Sequence, residues 1–143
     1  MPSITDTLDE LAEEFELLSD WQEQLHHVMD MGKALPPLLE PEKTEANRVL
    51  GCQSRVWLVS ERLPDGRLRF RADSDGQISR GNVALLLRLL SDRRPEEILG
   101  FDIRAALDRI GLPQMLTPAR SNGLASMVAR IRQEAAALHA AAA

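Results

Sequence analysis

One hairpin limits what this chain can fold into more than any other stretch. From residue 67 to 72 the sequence alternates strictly: Leu68, Phe70 and Ala72 fall on one face, Arg67, Arg69 and Arg71 on the other. A period of two is the mark of a half-buried strand. Asp65-Gly66, preceded by Pro64, supplies the turn. Before it, Val56-Trp57-Leu58-Val59 has the β-branched and aromatic content of an outgoing strand. The hairpin should span about residues 56 to 74, with one face on a hydrophobic layer and one in water. Two strands alone are marginal, so a third is expected, with residues around Gln77-Ile78 as the candidate.

The covering layer has to come from helices, and both flanks supply them. Thr5 to Leu18 places Leu8, Leu11, Ala12, Phe15 and Leu18 at helical spacing, with Thr7 and Glu10 as a capping box. A second helix is expected from Ser19, with Gln22 completing the same pattern, an apolar face of Trp21, Leu25, Val28 and Met29, and an end near Gly32. The prolines of residues 35–41 exclude helix interior and imply an extended connector. After the hairpin, residues 81–90 are apolar nearly all round, as a central buried helix would be. Pro95 opens a short helix, and Asp102 and Gly111 bracket another. Residues 117–123 read as a loop or helix start. The last helix should run from about Ser121 to His139, with the terminal alanines fraying. The expected fold is therefore α+β, a small antiparallel sheet covered on one face by helices. It forms a single domain over residues 1–143, with N-terminal helices over 5–34, a cysteine loop and hairpin over 48–75 and C-terminal helices over 79–139.

Charge excludes some partners. The formal net charge is −5, which argues against nucleic acid. Residues 1–45 carry 12 acidic and two basic side chains, whereas residues 46–143 carry 10 acidic and 15 basic, all of the latter arginine. Such a split reads either as two solvated faces or as a surface that steers a protein partner. No apolar run reaches the roughly 20 residues of a membrane span, and the acidic N-terminal stretch does not resemble a signal peptide. A lone cysteine fits a reducing, cytoplasmic setting.

That cysteine, Cys52, stands in Gly51-Cys52-Gln53-Ser54, at the mouth of the first strand. The residues leave two readings. Free cysteines are commonly small buried hydrophobes. Against that, Gly51 suggests a special backbone angle, Gln53 and Ser54 are poor core residues, and Arg48 and Arg55 would favour the reactive thiolate. The remaining motifs are weaker. His26 and His27, adjacent on a helix, point about 100° apart and make a poor metal site. No zinc, dinucleotide or P-loop pattern occurs. Asp73-Ser74-Asp75 is either a fragment of a calcium loop or a polar strand end. Arg120, in Arg-Ser-X-Gly, could bind an anion or bond backbone carbonyls. A thiol without a cofactor site suggests a protein that receives a group from a partner.

Gly51-Cys-Gln-Ser-Arg-Val-Trp-Leu58 resembles the signature of the SufE family of sulfur acceptors. Asp20-Trp21, residues 31–36, Asp73-Ser-Asp75, Gly81 with its leucine-rich helix, and residues 116–123 match in the same order, so the resemblance covers about residues 8–138. It implies a fold similar to IscU-type scaffold proteins. It also implies a role: Cys52 accepts persulfide sulfur from a pyridoxal-phosphate cysteine desulfurase of the SufS type, stimulates it, and hands the sulfur to an Fe–S scaffold complex of the SufBCD type. Pyridoxal phosphate (PLP) then belongs to the partner, and no cofactor or metal is expected on this chain. A scaffold needs several cluster ligands, and one cysteine does not supply them. CsdE-type acceptors of a paralogous desulfurase are an alternative, although Gln53-Ser54 stands where those would carry Glu-Asn. A non-catalytic desulfurase adaptor is another. Gly51, Gln53, Ser54, Asp75 and Arg120 are expected to position the loop or touch the partner, and homodimerisation is left open.

Overall fold

The computed structural model describes residues 2–112 and 116–142. The chain runs through α1 (Ile4–Glu16), α2 (Trp21–Ala34), a 3-10 turn (Glu40–Glu42), β1 (Val56–Arg62), β2 (Leu68–Ser74), α3 (Gln77–Leu90), α4 (Pro95–Gly100), α5 (Ile103–Ile110) and α6 (Pro118–Ala142). The fold is α+β, with the six helices named here among the described residues set around an antiparallel hairpin.

The hairpin forms as its alternation requires. Leu58 pairs with Ala72 and Ser60 with Phe70, so Val56, Leu58, Ala72, Phe70 and Leu68 share the buried face. The opposite face departs from the expected water layer at its Trp57–Asp73 pair, both of which are buried. Trp57 is buried there, with Lys43 Nζ 5.4 Å and the Arg55 guanidinium 5.5 Å from its ring. Such cation–ring packing shields an aromatic while leaving the charges wet.

The expected third strand is absent among the described residues, and Gln77-Ile78 begin α3 instead. Two short bridges guard the edges in its place. Val49 N–H donates to Val56 O and Leu58 N–H to Asn47 O, each at 2.8 Å, along the free edge of β1. Leu68 N–H donates to Arg93 O and Asp92 N–H to Leu68 O, each at 2.7 Å, at the start of β2. Single bridges satisfy exposed edge groups without adding a strand.

Two helix starts shift from the expected positions. Ser3, not Thr7, caps α1: Ser3 Oγ accepts the Asp6 N–H at 3.0 Å, and Asp6 accepts the Ser3 N–H at 3.3 Å. Thr7 is buried and its Oγ1 accepts from Arg93 Nη2 at 2.9 Å. Arg93 lies inside the fold and also donates to Leu89 O at 3.1 Å and Pro2 O at 2.6 Å, tying the chain start to the end of α3. Asp20 caps α2, accepting the Glu23 N–H at 2.9 Å, one residue on from the expected Ser19–Gln22 pair. Trp21, the first residue of α2, is 59% exposed, and the buried face of that helix is carried by Val28 and Gly32. Residues 118–123, read as loop or helix start, are the opening turns of α6, and the helix continues to Ala142 through the alanines expected to fray.

The α2–α3 crossing explains two glycines. A Cβ on Gly81 would lie 2.2 Å from Val28 O, and one on Gly32 would lie 2.7 Å from Gly81 N. The two backbones are too close for any side chain between them. Gly81→Ala therefore has to push α2 off α3, at a cost of about 1–3 kcal/mol as for other overpacked sites. A urea midpoint that drops by the corresponding amount, with the slope unchanged, is the expected result.

The lengthwise charge split is partly neutralised in space. Arg88 takes Glu14 in a two-pronged pair at 2.5 and 2.8 Å, Arg109 pairs with Asp9 at 2.6 Å, and Arg71 pairs with Glu42. Each joins the basic part of the sequence to the acidic part. Arg69 and Arg130 pair with Asp92 and Glu134, at 2.8 and 3.0 Å. These arginines are therefore paired within the fold, several of them in solvent where each pair adds little stability.

Candidate functional site

Cys52 sits on the bend that leads into β1. Gly51 makes the bend with φ +91°, in the left-handed region that other residues rarely adopt. A Cβ there would also lie 2.5 Å from Ser126 Oγ on α6. The loop is thus pressed onto the first half of α6, where Gly123 gives it room: a Cβ on Gly123 would touch Cys52 Sγ at 3.6 Å. Cys52 is half-buried, and its Sγ–H donates to Gly123 O at 3.5 Å. Leu50, beside the bend, is 76% exposed.

Under the loop lies a cavity of about 50 Å³ lined by Cys52, Gln53, Ser54, Ser79, Asn82 and Arg120, and closed by Gly123 and Met127. Of the residues singled out in the sequence, Cys52, Gln53, Ser54 and Arg120 meet here. Gly51 shapes the bend behind them. Asp75 does not line the cavity: its carboxylate accepts from Arg55 N at 2.9 Å and Arg55 Nε at 2.8 Å. It therefore anchors the stem of the loop to the exit of β2. Those Arg55 bonds hold the Asp75 carboxyl below its ordinary pKa.

The thiol differs from the expectation of an activated cysteine. Burial pushes the Cys52 pKa up, and the positive charge of Arg48 opposes that in part. Arg55, the other cation invoked from the sequence, is engaged with Asp75 and Trp57. At rest the site holds a protonated, sheltered thiol, because desolvation disfavours the charged form.

Asp73, two residues before Asp75, is structural. It is buried at 3% exposure and accepts from Leu38 N at 3.0 Å, Ser74 N at 2.8 Å and Arg80 Nη1, with Lys43 Nζ 3.7 Å away. Arg80 also donates to Gly32 O at 2.8 Å and to Leu35 O. Of the two readings of Asp73-Ser74-Asp75, the polar strand end is the one seen: it closes β2 ahead of α3, and Asp73 clamps the connector after α2. Among the described residues no group of three or more His, Cys, Asp or Glu side chains is arranged to hold a metal ion. No helix among them is long and apolar enough to cross a membrane.

Ser79, Asn82, Gly123 and Met127 were not singled out from the sequence. Asn82 did leave a signal: with Arg88 it is one of two polar side chains in the apolar run 81–90, and it is the buried one, the informative kind.

Fold and site together define an α+β protein with one sheltered thiol at a glycine bend. The chain is a member of the SufE family: the family model, described as an Fe-S metabolism associated domain, matches residues 9–135. It is similar to a SufE-like protein of Rhizobium etli, 42% identical over 132 residues that span 90% of this chain and 89% of the relative. A SufE-like protein of Rhizobium meliloti is 39% identical over 132 residues, 90% of this chain and 94% of the relative. A hypothetical protein from Thermus thermophilus, solved in solution, superposes with a TM-score of 0.76 over 94% of this chain and 96% of its own. At 20% identity that likeness speaks to the fold alone. Membership ties the chain to Fe–S metabolism and sulfur transfer in general terms.

Proposed function

We propose that this chain accepts sulfur on Cys52 from the persulfide of a SufS-like, PLP-dependent cysteine desulfurase, stimulates that enzyme, and passes the sulfur to a SufBCD-like Fe–S scaffold complex. The observation that carries the reading is the setting of the only thiol: a glycine-made bend, half-sheltered, above a cavity with room for more than the sulfur it holds. Family membership supplies the sulfur chemistry.

The step is a displacement at sulfur. The Cys52 thiolate attacks the terminal sulfur of the donor's R–S–SH, the donor S–S bond breaks, and its thiolate leaves. Cys52 then carries S–SH. No net oxidation occurs, and the proton is carried on the terminal sulfur. The rate follows the ionisation of the attacking thiol and the leaving tendency of the departing one. Neither step requires a metal or cofactor on this chain, and PLP does its work in the desulfurase. Burial of Cys52 keeps it quiet at rest, so docking has to bring it out or lower its pKa. The exposed Leu50 and the rim residues Gln53 and Arg120 stand where a partner would meet the loop. The cytoplasm, where thiols stay reduced, suits a lone cysteine of this kind.

Alanine production from L-cysteine by a SufS-like desulfurase tests the reading. Titration with this protein should raise turnover to a saturating value. A flat titration, with the desulfurase active alone, would contradict it.

A further inference from the structure

One of the residues lining the cavity beside Cys52 carries a polar group that the fold leaves unused. Asn82 on α3 is 2% exposed and lines the cavity together with Cys52 and Met127. Its Oδ1 is sealed from solvent and has no hydrogen-bond partner among the described residues. A buried carbonyl without a donor is costly, and native folds keep few of them. The serine and glutamine oxygens that also line the cavity belong to half-buried or exposed residues, which water can reach.

The chemistry at Cys52 supplies the missing donor. At rest the Sγ–H bonds Gly123 O. Once Cys52 carries a second sulfur, Sγ has no hydrogen and that bond ends. The S–H is now one S–S bond, about 2 Å, farther out, and the cavity is what lies beside Sγ. We propose that Asn82 is a positioning residue for the carried sulfur: its Oδ1 accepts a hydrogen bond from the terminal S–H of the Cys52 persulfide and holds that sulfur in the cavity in its protonated, less nucleophilic form. This rests on the sulfur-acceptor reading and deepens it by naming what retains the sulfur between receipt and delivery. The charged groups facing the site are Arg48, half-buried, and Arg120, exposed on the rim. Both draw the terminal sulfur toward its ionised form, and Asn82 Oδ1 opposes them.

The test loads Cys52 without any desulfurase. Its mixed disulfide with thionitrobenzoate is treated with hydrosulfide, which attacks Sγ. The mixed S–S bond breaks, thionitrobenzoate leaves as the thiolate, and Cys52–S–SH remains. Iodoacetamide alkylation is then timed for loaded and unloaded wild type, Asn82→Leu and Asn82→Ala, with folding checked by urea unfolding. Alanine serves if leucine does not fit the cavity. Loss of one hydrogen bond of ordinary strength should make the loaded variants react about fivefold faster than loaded wild type, while the unloaded thiols keep equal rates. Equal rates for all loaded proteins would overturn the proposal. So would a parallel acceleration of loaded and unloaded forms, which reports a loosened loop. Because loading is chemical, a protein that passes this test yet takes no sulfur from a desulfurase would defeat the acceptor reading and leave the role of Asn82 standing.

Discussion

Cys52→Ala is expected to abolish the stimulation of desulfurase turnover and leave the fold intact. The chain has no second thiol to take over the attack, and nothing else lining the cavity is a comparable nucleophile for sulfur. Removing a covalent nucleophile deletes the step, with losses of roughly a thousandfold or more. The structural cost should be small. Cys52 is half-buried, and its Sγ makes one long hydrogen bond, so unfolding free energy should move by less than about 1 kcal/mol. Alanine production at fixed desulfurase, compared with the urea midpoint of the same sample, separates the two effects. Stimulation that survives in the variant would make the protein an adaptor whose cysteine only packs.

Asp73→Ala carries the largest expected loss of stability. Its carboxylate is the meeting point of two backbone N–H groups, from Leu38 and Ser74, and of the Arg80 guanidinium. Arg80 is itself only partly accessible and reaches across to Gly32 O and Leu35 O. Removing one partner of a buried pair leaves the other charge uncompensated, which costs about 3–5 kcal/mol. That is a large share of the roughly 5–15 kcal/mol that holds a domain folded. The clamp joins the end of α2, the connector and the exit of β2, so all three should loosen together. Asp75→Ala is the control: its pair with Arg55 lies in solvent, where such pairs are worth at most about 1 kcal/mol. Equal urea midpoints for the two variants would refute the clamp.

The contrast between these neighbouring aspartates shows where the sequence stops being legible. Local patterns carried well. The period of two from Arg67 to Ala72 and the Asp65-Gly66 turn placed β2 correctly, because strand faces follow from chain geometry alone. Pro95, the Asp102 cap and the Gly111 stop located α4 and α5 for the same reason. Long-range partners overrode the rest. Thr7 looked like a cap until Arg93, 86 residues away, took its hydroxyl. The hairpin edges were closed by bridges from residues 48 and 93, with no third strand among the described residues. Asp73 and Asp75 share a motif, but one packs under the connector and the other faces solvent. At the site, the cysteine bend was readable from Gly51-Cys52. The raised thiol pKa was not, because it depends on burial under the loop, which outweighs the nearby Arg48. Asn82 went unnoticed in the sequence, where its only signal is a polar side chain in an apolar run, because its surroundings depend on how α3 packs beside the cysteine loop.

The central claim is that Cys52 carries sulfur, and intact mass tests it most directly. Wild type and Cys52→Ser are each mixed with a SufS-like desulfurase and L-cysteine, quenched without reductant and weighed. The account predicts a gain of about one sulfur atom, ~32 Da, on wild type and none on the serine variant. No gain on wild type, while the desulfurase turns over faster in its presence, would contradict it.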